Sequence, residues 1–225
     1  VNLAVFDIDG TLTCPYPGED ASFLEGLELA FAFRDVDPDW NGYPHVTDSG
    51  IVHHVCEARW GRLPTAAEMS RFRELYSRAF LACAAPGDGK EISGAAEFVA
   101  SLRESSAWRV AVATGNSQLM ATLKLTRGEI PCLDLPLATA DDAVSRAELV
   151  SLAVSRARHR YGVAEFAHIV SIGDAPWDLR TARELELPFV AVGERCGNES
   201  TGARMIRDYR DAPFALRALT GAVRW

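Results

Sequence analysis

Apolar positions along the chain follow two rhythms. Leu3 to Ile8 is a short apolar run interrupted only by Asp7, the pattern of a buried parallel strand, and Gly10 and Thr11 turn the chain sharply at its carboxyl end. From Thr13 to about Ile92 the rhythm becomes helical. Phe23, Leu24, Leu27 and Phe31 space one helix after Asp20, and a second covers Ile51 to Trp60 and stops at Gly61. A third starts at a Thr65/Glu68 capping box and keeps Met69, Phe72, Tyr76, Ala79, Phe80 and Cys83 on one face. Between the first two, Arg34 to Thr47 reads as an irregular connection. Asp35, Asp37 and Asp39 are spaced like the start of a calcium loop, but Pro38 breaks it and Trp40 stands where that loop needs glycine, so a solvated turn is expected.

After the turn-rich stretch Ala85 to Gly89 the two rhythms alternate. Strands are expected at Arg109 to Ala113, Leu135 to Ala138, His168 to Ile172 and Phe189 to Val192. Helices are expected at Ala95 to Glu104, Gln118 to Thr126, Arg146 to Arg160 and Asp178 to Leu185. Such alternation implies an α/β fold, a Rossmann-like parallel sheet flanked by helices. The expected organisation is a core domain of residues 1–12 and 93–225, with a small helical domain of residues 13–92 inserted after the first strand.

The length of 225 residues allows one sizeable core and a smaller module. A net charge of -8 argues against a nucleic-acid or anionic-membrane partner, because both need a dense basic face. Five cysteines without a C-x-x-C pair argue against a disulfide framework or structural zinc, and point to reduced thiols and a cytoplasmic location. No apolar run is long enough to span a bilayer, and the chain opens on a strand-like segment rather than a basic cleavable leader. Nothing in the sequence sets an oligomeric state.

In parallel sheets ligands bind beyond the carboxyl ends of the strands, so the polar residues there carry the candidate chemistry. Asp7 and Asp9 lie two apart at the end of the first strand, on one face of an extended chain, where they can meet one substrate and one cation together. With Gly10 and Thr11 they form D-x-D-G-T, which chance would place in about one chain of this length in several hundred. The second strand runs into Thr114, Gly115 and Asn116 ahead of a helix, where a hydroxyl and backbone N–H groups can seat anionic oxygens. The fourth strand, His168 to Ile172, leads into Gly173, Asp174 and Asp178. Hard oxygen donors from Asp7, Asp174 and the Asp9 backbone suit Mg2+, with Asp178 orienting them. Arg146 follows a second capping box, Ser145/Glu148, at the helix end where a cation is unfavourable unless an anion lies near. It is therefore a candidate for balancing the carboxylates and holding phosphate.

These motifs, in this order and at strand ends, resemble those of the haloacid dehalogenase-like hydrolase superfamily. The helical insertion after the first of them looks like the cap of its phosphoglycolate-phosphatase-like branch. The resemblance implies a Mg2+-dependent phosphatase acting on a small phosphorylated metabolite through an aspartyl-phosphate. Asp7 would be the nucleophile, Asp9 the general acid and base, Thr114 the phosphate hydroxyl and Asp174 the metal aspartate, while Gly10, Thr11, Gly115 and Asn116 belong to the phosphate side. The family's third motif usually supplies lysine. Here Arg146 takes that place, because Lys90 falls in the hinge and Lys124 within the helix after Thr114. A phosphomutase of the same fold and a non-catalytic phosphate-metabolite-binding regulator are the alternatives. A dehalogenase is disfavoured by Asp9 and Asp174, and a phosphonate-cleaving enzyme by the lack of any lysine between Asp9 and Lys90. Arg34, His53, His54, Arg59 and Arg62 are the cap residues able to meet a second anion.

Overall fold

A computed structural model describes residues 1–132, 134–197 and 202–222. Six strands, β1 (Asn2–Phe6), β2 (Trp108–Ala113), β3 (Leu137–Ala138), β4 (Ile169–Gly173), β5 (Phe189–Val192) and β6 (Arg204–Ile206), form one sheet in the order β3-β2-β1-β4-β5-β6. Every neighbouring pair is parallel. Eight helices accompany them: α1 (Glu19–Phe31), α2 (Asp48–Trp60), α3 (Ala66–Cys83), α4 (Ala95–Glu104), α5 (Gln118–Arg127), α6 (Arg146–Tyr161), α7 (Pro176–Glu184) and α8 (Ala212–Thr220). The chain builds outward from β1 through β2 to β3, then returns to the other side of β1 with β4. The topological switch therefore falls between β1 and β4, where the crevice of such sheets opens.

Both faces of the sheet's centre are covered, which is why β1, β2, β4 and β5 are largely apolar rather than alternating. Ala4, Phe6, Val110, Val112 and Ile172 pack beneath Phe98 and Leu102 of α4, Leu125 of α5 and Leu219 of α8. On the other face Leu3, Val5, Ala111 and Ala113 meet Leu149, Ala153 and Ala157 of α6.

Helices α1 to α3 have a hydrophobic cluster of their own, built on Phe23, Leu27, Val52, Phe72, Tyr76 and Phe80 and joined to the sheet layer through Met120 of α5. The expected capping boxes are both formed, and Gly61 ends α2 in the left-handed conformation. The segments entering and leaving this helical unit pair with each other: the Cys14 N–H donates to the Lys90 carbonyl and the Ile92 N–H to that of Leu12, both at 2.8 Å. Asp37 and Asp39 accept from nearby backbone N–H groups in an exposed turn. No helix among the described residues is long and apolar enough to cross a membrane.

The expected elements agree with the sequence pattern to within a few residues, with two additions. β6 and α8 were not anticipated, because Arg204 and Met205 are exposed and a three-residue edge strand leaves no apolar run to read.

α1 and α3 approach closely at Gly26, where an added Cβ would stand 2.9 Å from the Tyr76 Cβ and 3.1 Å from its Cα. Alanine normally favours a helix by up to about 1 kcal/mol over glycine. Here Gly26→Ala is expected to destabilise by about 1–3 kcal/mol by forcing the helices apart, measured as a lower urea midpoint.

Candidate active site

The turn after β1 is tight. Thr11, Leu12 and Thr13 all donate backbone N–H bonds to the Ile8 carbonyl, and the Gly10 N–H returns to the Thr13 carbonyl at 2.7 Å. Gly10 has φ 74°, and a Cβ there would fall 2.2 Å from the Asp174 Oδ2. Only glycine both makes the turn and admits Asp174 from the end of β4.

Asp7, Asp174 and Asp178 converge, each offering an oxygen within 4.8 Å of the others, and each is buried. Two cations serve them. The Arg146 Nη1 donates to the Asp178 Oδ1 at 2.7 Å and the Asp7 Oδ1 at 3.3 Å, and the Arg195 Nη1 reaches the Asp174 Oδ2 at 3.3 Å. Both guanidinium groups lie over the Trp177 ring, at 5.6 and 4.6 Å. Burial, followed by the charge of Asp178, pushes the Asp7 carboxyl well above the usual range, with Arg146 opposing. Burial and then Asp7 push Asp174 up to about 7. Asp178 is also raised, chiefly by burial.

The side chain of Asp9 points elsewhere. Its Oδ2 accepts from the Asn116 Nδ2 at 2.5 Å and its Oδ1 from the Lys124 Nζ at 2.7 Å. Lys124 also donates to the Asn116 Oδ1 at 2.8 Å and to the Glu19 Oε1, which accepts from the Tyr76 hydroxyl at 3.0 Å. Burial works against the Lys124 charge, but Asp9 and Glu19 outweigh it and lift its pKa above the ordinary value. The sequence placed Lys124 away from the site, and the geometry corrects this. Its signal was a lone lysine among Met120, Ala121 and Leu125, all fully buried on α5, a position that an unpaired ammonium does not occupy. Arg195 was missed too, although it follows β5 at a strand end where ligand groups gather.

Thr114 is buried, and its Oγ1 accepts from the Asn116 backbone and side-chain N–H groups at 3.2 and 2.8 Å. Asp7, Asp9, Gly115, Asn116, Arg146 and Asp174 line a cavity of about 360 Å³. Neither Thr114 nor Thr11 belongs to that lining, and the Thr11 hydroxyl is completely buried with no hydrogen-bond partner among the described residues.

The start of α2 closes over this edge. The Arg146 Nε donates to the Val46 carbonyl at 2.8 Å, the Asp48 N–H to the Gly115 carbonyl at 2.7 Å, and the Ser117 N–H to the Asp48 Oδ2 at 2.7 Å. The cap residues considered for a second anion are absent from the cavity lining. Arg34 pairs with Glu28, Arg62 forks onto Glu68, and Arg59 donates to the Asp35 carbonyl. His53 is half-buried, and His54 is exposed with its ring against Tyr43.

The donor set fits a small hard cation: the three clustered groups are carboxylates, and burial has raised all of them, as expected of anions short of positive charge.

The α/β sheet gathers this carboxylate-lined edge at the switch point between β1 and β4. A family model of the haloacid dehalogenase-like hydrolase matches residues 1–185, and the chain belongs to that family. No curated protein matches it. Among solved structures it is similar to a hydrolase from Pseudomonas syringae, with 21% identity, TM-score 0.69, and 95% of this chain and 96% of that one covered. A predicted phosphatase from Clostridium acetobutylicum is 18% identical, with TM-score 0.61 and 96% and 97% covered. An archaeal β-phosphoglucomutase from Pyrococcus sp. Strain ST 04 is 16% identical, with TM-score 0.57 and 99% and 100% covered. At these identities the likeness is one of fold.

Two predictions follow from the electrostatics. Because Asp7, Asp174 and Asp178 hold protons more tightly in the folded chain, their contribution to stability is whole below the unfolded pKa of about 4 and is lost as pH rises through the raised folded values. The metal-free protein is thus expected to have a higher urea midpoint near about pH 5 than near about pH 8, and a flat or rising profile would contradict the assignment. Lys124→Met leaves Asp9 and Glu19 without their cation, and should cost about 3–5 kcal/mol of unfolding free energy by denaturant titration.

Proposed function

We propose that the protein is a Mg2+-dependent phosphatase that hydrolyses a small phosphate monoester through an aspartyl-phosphate on Asp7, with residues 13–92 acting as a cap over the site. The observation that carries this reading is the buried Asp7 carboxylate at the cavity floor, held by Arg146 and grouped with Asp174 and Asp178. A binding protein for an anion would gain nothing from three buried carboxylates beside its ligand.

Asp7 and Asp174 would hold the cation with the Asp9 backbone carbonyl, and Asp178 would orient Arg146 and the Ala175 N–H that it accepts at 3.1 Å. When bound, Mg2+ supplies positive charge to the phosphoryl oxygens and lets an anionic nucleophile approach an anionic ester.

The remaining work falls to the chain. Arg146, the Thr114 hydroxyl and the backbone N–H groups near Gly115 and Asn116 receive the phosphoryl oxygens. An Asp7 oxygen attacks phosphorus as the P–O ester bond breaks, and Asp9 gives its proton to the departing alcohol oxygen. Water then attacks the aspartyl-phosphate, Asp9 takes that water's proton, and inorganic phosphate leaves with Asp7 restored. Asn116 and Lys124 hold the Asp9 carboxylate, which lines the cavity apart from the Asp7 cluster, between these steps.

The test is inorganic phosphate release from small esters, with p-nitrophenyl phosphate as a general probe. Release should require Mg2+, be abolished by chelation, and fall by at least about a thousand-fold in Asp7→Asn. Asp7→Asn retaining most of the release would remove the nucleophile assignment. Phosphate moved to a second hydroxyl rather than released would favour a phosphomutase.

A further inference from the structure

The cavity is polarised by the origin of its walls. Its two arginines, Arg146 and Arg195, both come from the sheet layer and stand at Asp7, Asp174 and Asp178. On the wall contributed by residues 13–92, every charged group is a carboxylate: Glu19, Asp20 and Asp48. Glu19 is answered by Lys124. Asp20, which is exposed, and Asp48, which is half-buried, both line the cavity and belong to no ion pair among the described residues.

Each is held in place without being neutralised. The Asp20 Oδ1 accepts from the Trp40 Nε1 at 2.8 Å, which fixes the indole at the wall beside the Phe23 ring, 5.4 Å between centroids. The Asp48 Oδ2 accepts the Ser117 N–H at 2.7 Å, leaving its other oxygen without a hydrogen bond among the described residues. Burial pushes the Asp48 carboxyl up to about 7, with the Ser117 N–H and the Lys124 charge opposing. Tyr16, Phe23, Trp40 and Tyr76 supply aromatic surface on the same wall. Carboxylates beside aromatic rings suit a cation, because charge and ring quadrupole attract it together.

We propose that the substrate is the phosphate monoester of an alcohol carrying an ammonium group, which Asp20, Asp48 and the Trp40 ring receive while Asp7 faces the phosphorus. The inference rests on the phosphatase reading and narrows it. A carboxylate or second phosphate on the leaving group would meet two carboxylates outside any ion pair among the described residues and no arginine from residues 13–92. A volume of about 360 Å³ suits a small ligand.

A matched series tests it: aminoethyl phosphate, hydroxyethyl phosphate and phosphoglycolate differ in bearing an ammonium, a hydroxyl or a carboxylate at the same distance, with choline phosphate as a bulkier cation and p-nitrophenyl phosphate as the general probe. With Mg2+, kcat/KM for an ammonium ester should exceed that for hydroxyethyl phosphate by about ten-fold or more, with phosphoglycolate last. Asp20→Asn and Asp48→Asn should each lower the ammonium-to-hydroxyl ratio by about three-fold or more. Because that ratio is taken within one variant, a general loss of activity or of folded protein cancels. Equal rates, a preference for phosphoglycolate, or a ratio unmoved in both variants would overturn the proposal while release from p-nitrophenyl phosphate left the phosphatase standing. No release from any ester would remove the phosphatase reading, and this inference with it.

Discussion

Mutual repulsion among Asp7, Asp174 and Asp178 is the constraint on which the rest of the site depends. Two bare carboxylates at the 4.8 Å limit of the cluster repel by about 3 kcal/mol at an effective dielectric of about 20. That is a sizeable fraction of a domain's total stability of about 5–15 kcal/mol. A strand end that gathers three of them must also gather cations. Arg146 reaches Asp7 and Asp178, Arg195 reaches Asp174, and burial, followed by the neighbouring carboxylates, still raises the carboxyl pKa values. Three carboxylates against two arginines leave this edge short of positive charge.

A second charge balance runs beside the first and keeps Asp9 apart from it. Lys124 is completely buried and is satisfied only because Asp9, Asn116 and Glu19 all accept from it. Glu19 belongs to α1 and Tyr76, its other partner, to α3, so this ion network ties the helical unit to the turn after β1. Two neighbouring aspartates thus lie in different surroundings, one crowded by carboxylates and the other bonded to an ammonium and an amide. That division suits unequal roles, attack by one and proton transfer by the other.

Much of this was legible in the sequence because the information is local. Asp7, Asp9, Thr114 and Asp174 each follow an apolar run closely, and a parallel sheet brings its strand ends to one edge whatever the loops do. Capping boxes and the Gly61 stop are likewise written in adjacent residues. Lys124 was illegible for the opposite reason. Its partners Asp9 and Glu19 lie 115 and 105 residues away, and only the packing of α5 against β1 and α1 unites them. The carboxylate wall of the cavity was hidden similarly, since Asp20 and Asp48 sit at helix starts where acidic residues are ordinary. β6 was missed because edge strands can be short and polar.

The arginine at position 146 has a geometric reason. One edge of its guanidinium serves the sheet layer, with Nη1 shared by Asp7 and Asp178, while Nε donates to the Val46 carbonyl just ahead of α2. The remaining nitrogen, Nη2, lies 2.9 Å from where a Gly115 Cβ would stand, so the planar group fits only against glycine. An ammonium on a lysine stem is a point donor, and cannot hold carboxylates and a carbonyl from separate elements with one rigid plane. The fork therefore links the position of the helical unit to the orientation of the cation nearest Asp7. If that unit moves away, Arg146 loses the Val46 carbonyl and with it one of the contacts that fix its plane beside Asp7.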